Sequence, residues 1–405
     1  MSETQINSLV VEANGPNDCY VGTMRGVLAE GIPIVSRDLE TLEIRPTMIM
    51  FLKPYMRFLT CPGRLIHPFF QVLESIWILA GRGDVAWISK YLKNMERFSD
   101  GMPYFHAPYG TRMRQYGRRR NAHGNEEGNG IDQFKHCFRY LSMAPDTRHA
   151  VMSFWDPVAD HYTTKTIDRP CNIAFHFLMR NNKLDLMIFN RSNDVHWGMF
   201  NANVVQFSVI LEAMAMILGC RVGNQIHVSD SLHIYTDDKV GDNKAITDRV
   251  NARHSVSSDE PGFNMYEYVA ARKFKIDGLK TGNPNALQEL DSALISFFRL
   301  ETLAYDGKPI SVDALRFNYL RDALRLVRSY RCLKVLNDLP RAMNELVDVE
   351  ADDIYVTCME YLMRFVKEED KINTTSFVRA SLEQRLGERV SPEDRRRIFN
   401  YVISH

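Results

Sequence analysis

An α+β unit followed by an all-helical one is the fold this sequence predicts, and three observations carry that reading. Up to about residue 240, strand-like and helix-like segments alternate. Beyond it, apolar residues recur at three- and four-residue spacing in one long segment after another. The length of 405 residues allows about two to three domains, with ample apolar content for a core. The chain is therefore divided into residues 1–240 and a helical C-terminal region, residues 241–405.

Taken in order, the elements are these. The first thirty residues have no basic stretch followed by an apolar one, and no later stretch offers the ~18 apolar residues that a membrane helix needs. RRRNAHGNEEGNG (118–130) is polar and glycine-rich without apolar spacing, which predicts a surface loop whose arginines are solvated. DRPCNIAFHF (168–177) sets Cys171 directly after Pro170, at the mouth of an apolar run that reads as a strand. LDLMIFNR (184–191) reads as a second strand after the turn signal RNNK. Residues 202–219 are apolar over a helical length and end at a glycine, the pattern of a buried helix with a left-handed cap. Further on, 283–305, 311–339 and 352–370 have helical periodicity, and SPED (391–394) places a serine cap before proline at the first helical position.

Charge narrows the partners. Lys plus Arg and Asp plus Glu both total 50, so no net field favours nucleic acid or a membrane surface. A bound anion has to be held by a local cluster. The seven cysteines show no CxxC spacing and are odd in number, which argues for reduced thiols and a cytoplasmic location.

Several residues stand out in the first 240. Twenty residues after Cys171 comes Arg191 in NRSNDVHWG, then Asp194, then SLHIY with His233 and Tyr235. Singly, each has an ordinary explanation: a small core hydrophobe, a surface ion pair, two packed side chains on one strand face. Together, their order and spacing resemble the thymidylate synthase and deoxypyrimidine nucleotide hydroxymethylase family. The matching motifs are Pro170-Cys171, Arg191-Ser192-Asn193-Asp194 and His233-Ile234-Tyr235. VLESIWILAGRGD (72–84) is similar to the family's glutamate helix and would supply Glu74. APYGTRMR (107–114) would supply Tyr109, and DTRHAVMSFWDP (146–157) resembles the strand whose arginine crosses a homodimer interface.

The resemblance implies a large mixed β-sheet with flanking helices, packed back to back with its twin, and a covalent mechanism. C5 of a pyrimidine is a poor nucleophile, so a thiolate, here Cys171, adds to C6 and activates C5 toward a one-carbon unit. Neighbouring guanidinium charge would lower the thiol pKa from about 8.5. Arg191, Ser192, Arg37 and, from the partner subunit, Arg148 would hold the phosphate, for which planar bidentate donors are suited. His233 and Tyr235 would hold the sugar hydroxyl. Asp194 would face the pterin of 5,10-methylenetetrahydrofolate, the expected co-substrate. Glu74 would relay protons to the base carbonyl, and Tyr109 would help remove the C5 proton. No metal is implied.

Departures from the family pattern bear on the product. His149 stands where a second arginine is usual, and Asn172 where a histidine follows the nucleophile. KYLKNMERFSDG (90–101) lacks the tryptophan that shields the methylene intermediate, its nearest substitutes being Met95 and Phe98. The helical extension replaces the short closing segment. Open access for water favours hydroxymethylation over reductive methylation. For the base, an asparagine suits uracil and an aspartate suits cytosine. Counting eleven residues from Arg191 reaches Ala202, whereas counting thirty back from His233 reaches Asn203, with Asn201 close by. The segment has no aspartate, so dUMP is favoured over dCMP, with Asn203 as the reader. The alternatives are thymidylate synthase proper, a dCMP hydroxymethylase, and a nucleotide-binding protein that has lost catalysis.

Overall fold

The computed structural model describes residues 8–36, 38–120, 126–237, 239, 242–254, 263–275 and 283–404. Its centre is a six-stranded mixed sheet in the order β1-β4-β11-β9-β8-β7. The strands are β1 (Leu9–Ala13), β4 (Thr47–Phe51), β11 (Arg221–Ser229), β9 (Lys183–Asn190), β8 (Asn172–Arg180) and β7 (Val151–Ser153). A second sheet of four strands runs β10 (Asn193–Asp194), β12 (Leu232–Tyr235), β3 (Leu39–Ile44) and β2 (Ile32–Ser36). Parallel and antiparallel pairs occur in both. The expected α+β class is what the chain adopts.

The pleat sends alternate residues to opposite faces, and the two faces of the large sheet differ. Met152, Phe175, Ile188, His227 and Ile49 are cross-strand neighbours on one face and all are buried. Helix α6 (Asn203–Leu218) packs on this face, its Phe207 ring 4.6 Å from that of Phe175, and helix α2 (Pro68–Leu79) packs on α6. Val151, His176, Met187, Ile226, Met50 and Glu12 form the neighbouring row on the other face, where Val151 and Glu12 are exposed.

α6 is the spine. All of its residues except Met216 and Leu218 are buried, and it ends at Gly219, whose φ of 72° is the left-handed cap that glycine adopts without strain. Each of its buried Val, Leu, Ile, Met and Phe side chains contributes about 1.5–3 kcal/mol relative to exposure. With the π-helical segment before it, Val195–Leu218 is long and apolar enough to cross a membrane, but it is enclosed by protein.

The remaining strands and helices follow the chain. α1 (Tyr20–Glu30) packs on β3 and β12. The polar stretch read as a loop contains a small antiparallel pair, β5 (Arg119–Arg120) with β6 (Glu126–Glu127), and residues 121–125 lie outside the described ones. Also present are α3 (Val85–Ser89), α4 (Tyr109–Arg114), α5 (Gln133–Met143) and α7 (Asn243–Arg253). The C-terminal helices are α8 (Ala286–Tyr305), α9 (Asn318–Lys334), α10 (Leu339–Leu346), α11 (Asp352–Met363), α12 (Lys371–Leu386) and α13 (Pro392–Val402). Ser391 caps α13, its hydroxyl accepting from the Asp394 amide at 3.1 Å, as SPED predicted. The single helix expected over 311–339 begins only at Asn318, after a 3-10 turn at Val312–Ala314.

Candidate active site

Cys171 sits one residue before β8, partly exposed. Its amide donates to the Tyr109 hydroxyl at 3.3 Å, and its carbonyl accepts from the Arg191 amide at 3.0 Å. The Arg191 side chain folds over the same corner, with Nε donating to the Pro170 carbonyl at 2.9 Å and Nη2 to the Arg169 carbonyl at 3.3 Å. Its guanidinium lies 5.7 Å from the Trp155 ring centroid. Thiol, phenol and guanidinium therefore converge at one strand mouth. Desolvation, and then the charge of Cys171 beside it, push the Tyr109 phenol well above its ordinary value. Tyr109 thus enters as a neutral phenol.

The Tyr109 ring meets Phe207 of α6 edge-on at 6.2 Å, which joins this corner to the start of that helix. One residue earlier, Gln206 donates through Nε2 to Glu74 Oε2 at 2.5 Å. Glu74 lies on α2 and is only 7% exposed. Burial pushes its carboxyl up to about 8, with the Gln206 bond pulling the other way. Gln206 was not singled out from sequence. It stands three residues after Asn203, one helical turn along the same face, the spacing that could have found it.

A π-helical segment, Val195–Ala202, stands between Asp194 and α6. A π turn admits one residue more than an α-helical turn, and such turns gather at functional sites. The segment lies in the stretch where the two counts, forward to Ala202 and back to Asn203, part by one residue. It also separates the two asparagines. Asn201 is committed, its Oδ1 accepting from Gln71 Nε2 at 2.6 Å. Asn203, 8% exposed, makes no side-chain hydrogen bond to another described residue. Gly198 lies beside Asn203, where an added Cβ would come within 2.7 Å of Asn193 Oδ1 and 3.4 Å of Asn203 Nδ2.

Asp194 pairs in register with His233 between β10 and β12. Its Oδ1 caps the π segment by accepting from the amides of His196 at 2.6 Å and Trp197 at 3.0 Å. Trp197, 43% exposed beside it, leans on Phe70 of α2 at 6.2 Å. The rings of His233 and Tyr235 meet edge-on at 5.2 Å. Ser192, just before β10, makes no side-chain hydrogen bond to another described residue. Asn172 turns inward to donate to Asn190, buried.

Two phosphate candidates remain. Arg37 is outside the described residues. Arg148 is exposed at the start of β7, with His149 beside it against Tyr140. Among the described residues, no group of three or more His, Cys, Asp or Glu side chains is placed to hold a metal ion. All seven cysteines are free thiols.

Two mixed sheets flanked by helices, with a Pro-Cys corner facing an Arg-Ser-x-Asp strand, make an α+β fold of the kind the motifs implied. The chain belongs to the thymidylate synthase family, whose model matches residues 20–282. Among curated proteins, it is 47% identical over 223 residues to the deoxyuridylate hydroxymethyltransferase of Bacillus phage SP01, covering 55% of this chain and 58% of that protein. It is 35% identical over 193 residues to the deoxyuridylate hydroxymethyltransferase of Pseudomonas phage M6, covering 47% of this chain and 51% of that protein. The matches thus span little more than half the length of these relatives.

Proposed function

We propose that this protein transfers the one-carbon unit of 5,10-methylenetetrahydrofolate to C5 of dUMP and releases it as a hydroxymethyl group. The observation that carries the reading is the Cys171 corner, where Tyr109 and Arg191 close on the residue that would attack the base. The family's chemistry and the relatives' names support it.

In this reading the Cys171 thiolate bonds to C6, and the electron pair of the C5–C6 double bond passes to C5. The folate supplies a carbon at the oxidation level of formaldehyde. C5 bonds that carbon and gives its proton to a water held at the oxygen of the neutral Tyr109 phenol. Water provides the hydroxyl, tetrahydrofolate departs, and the C6–sulfur bond breaks to restore the thiolate. No electrons are gained or lost overall. Glu74 exchanges its proton with the base carbonyl, Arg191 and Ser192 hold the phosphate with Arg37, His233 and Tyr235 hold the sugar, and Asp194 faces the pterin. The stretch that lacks the shielding tryptophan includes the 3-10 turn Lys93–Phe98, none of whose residues is buried, which supports access for water. The half-exposed face of the large sheet supports a homodimer in which Arg148 reaches the partner's site. We assign residues 1–240 to the catalytic unit, 241–405 to a helical one, and the protein to the cytoplasm.

C5-tritiated dUMP and dCMP, each incubated with the folate, test the reaction. Tritium release from dUMP with 5-hydroxymethyl-dUMP and tetrahydrofolate as products is the expected result. Dihydrofolate and a methylated product would make the protein a thymidylate synthase instead. Bound nucleotide without tritium release from either substrate would leave only a binding protein.

Base choice has its own expected outcome. Asn203→Asp lowers kcat/KM for dUMP by about 100-fold and raises it for dCMP, because a carboxylate accepts from the cytosine amino group and cannot donate to O4 of uracil. Asn201→Asp leaves the base preference unchanged, since Asn201 is bound to Gln71. Competition between the two nucleotides in one assay reads both.

A further inference from the structure

The C-terminal helices reach the candidate site from behind. Every residue of α2 is buried, so the side of the helix away from Glu74 is covered as well. Tyr319 of α9 sets its hydroxyl 3.2 Å from the hydroxyl of Ser75, the residue next to Glu74. The same ring has the Arg57 guanidinium 5.7 Å from its centroid, and Arg57 pairs with Glu212 of α6 at 3.0 Å. Glu212 also accepts from the Phe274 amide at 2.7 Å. One buried aromatic ring thus touches both helices whose side chains meet at the Glu74–Gln206 contact, one directly and the other through an arginine.

The N-terminal end of α2 is held similarly. His67 Nδ1 accepts from the Phe70 amide at 3.1 Å, which leaves Nε2–H to donate to the Tyr361 hydroxyl of α11 at 3.0 Å. Arg364 Nη1 donates to the Ile66 carbonyl at 2.8 Å. Tyr319 adds a support further along α2, at Ser75.

We propose that Tyr319 is a positioning residue for Glu74: with the Arg57–Glu212 pair beneath its ring, it fixes α2 against α6 and thereby the contact between the Glu74 carboxyl group and the Gln206 amide. The inference rests on the reading of Glu74 as part of the catalytic machinery. It gives the helical extension a task in the reaction, since a shift of about 1 Å in a supporting element costs on the order of 100-fold in rate.

Tyr319→Leu and Tyr319→Phe in the full chain, each alone and combined with Glu74→Gln, provide the test. Tritium release from C5-tritiated dUMP, dUMP affinity and amide hydrogen exchange are measured on the same proteins. Tyr319→Leu is expected to slow release about tenfold with dUMP affinity nearly unchanged. Tyr319→Phe keeps the ring over Arg57 but loses the hydroxyl at Ser75, so it recovers only part of the rate and stays about threefold below the unsubstituted protein. In the Glu74→Gln background, Tyr319→Leu changes the residual rate by less than about twofold, the non-additivity of residues that act as a unit. Losses that multiply in the double variant, a parallel loss of dUMP affinity, or an unchanged rate overturn the proposal. Should the leucine variant fail to fold, Ser75→Ala removes the same contact from the α2 side and is judged by the same outcomes. If the unsubstituted protein releases no tritium, the reading of Glu74 has failed, and exchange decides alone. Faster exchange confined to α2 and α6 then supports the brace, and unchanged or general exchange overturns it.

Discussion

Cys171→Ala will lower tritium release from dUMP by about 10⁴-fold or more while leaving nucleotide binding nearly intact. Without a sulfur to bond C6, C5 remains too weak a nucleophile to capture the one-carbon unit, and no neighbouring group replaces it. The predicted phosphate and sugar contacts belong to Arg191, Ser192, His233 and Tyr235, none of which the substitution touches. The fold should tolerate the change, because what anchors residue 171 is backbone: its amide to Tyr109 and its carbonyl to the Arg191 amide. Alanine keeps both bonds and suits a partly exposed site at a strand mouth. Equilibrium dUMP binding and thermal unfolding of the variant separate lost chemistry from lost structure. Turnover retained by a well-folded Cys171→Ala protein would remove the thiol from the mechanism.

What the sequence made legible is what chemistry and local periodicity impose. β8 and β9 were readable from apolar runs beside turn signals, and α6 from its apolar length ending at Gly219. Cys171, Tyr109 and Arg191, singled out by residue type and spacing, meet at one strand mouth, and the roles proposed for them are what the tritium-release assays test. Contacts between distant segments were not readable. Gln206 meets Glu74 across 132 residues, and His67 meets Tyr361 across 294, distances at which no local pattern records a partner. The π segment Val195–Ala202 went unread because its apolar residues look like those of an ordinary buried helix. α12 went unread since KINTTSFVRASLEQRL has β-branched residues early and only three buried positions, so its apolar stripe is weak.

Glu74→Gln should slow the reaction by about 10²–10⁴-fold and, at alkaline pH, stabilise the protein. Both effects come from one buried carboxyl. Its ordinary value of 4.5 is pushed up to about 8 in the fold, so near neutral pH it holds a proton and can deliver it to the base carbonyl. Glutamine keeps the shape and a hydrogen-bonding amide but cannot exchange that proton. The rate of the unsubstituted protein should therefore fall as pH rises through about 8, and this limb should be missing from the residual activity of Glu74→Gln. Stability follows the same proton. Between pH 4.5 and about 8 the folded chain keeps a proton that the unfolded chain gives up, so stability from this group is fully present below that window and lost as pH climbs through it. The loss is on the order of 5 kcal/mol once the window is passed. A glutamine at position 74 has no such dependence. Thermal unfolding of the two proteins should therefore differ little at pH 5, with the variant unfolding several degrees higher at pH 9. A difference that stays constant across that range would mean Glu74 titrates as an ordinary carboxyl, and would take with it the proton relay that the site needs.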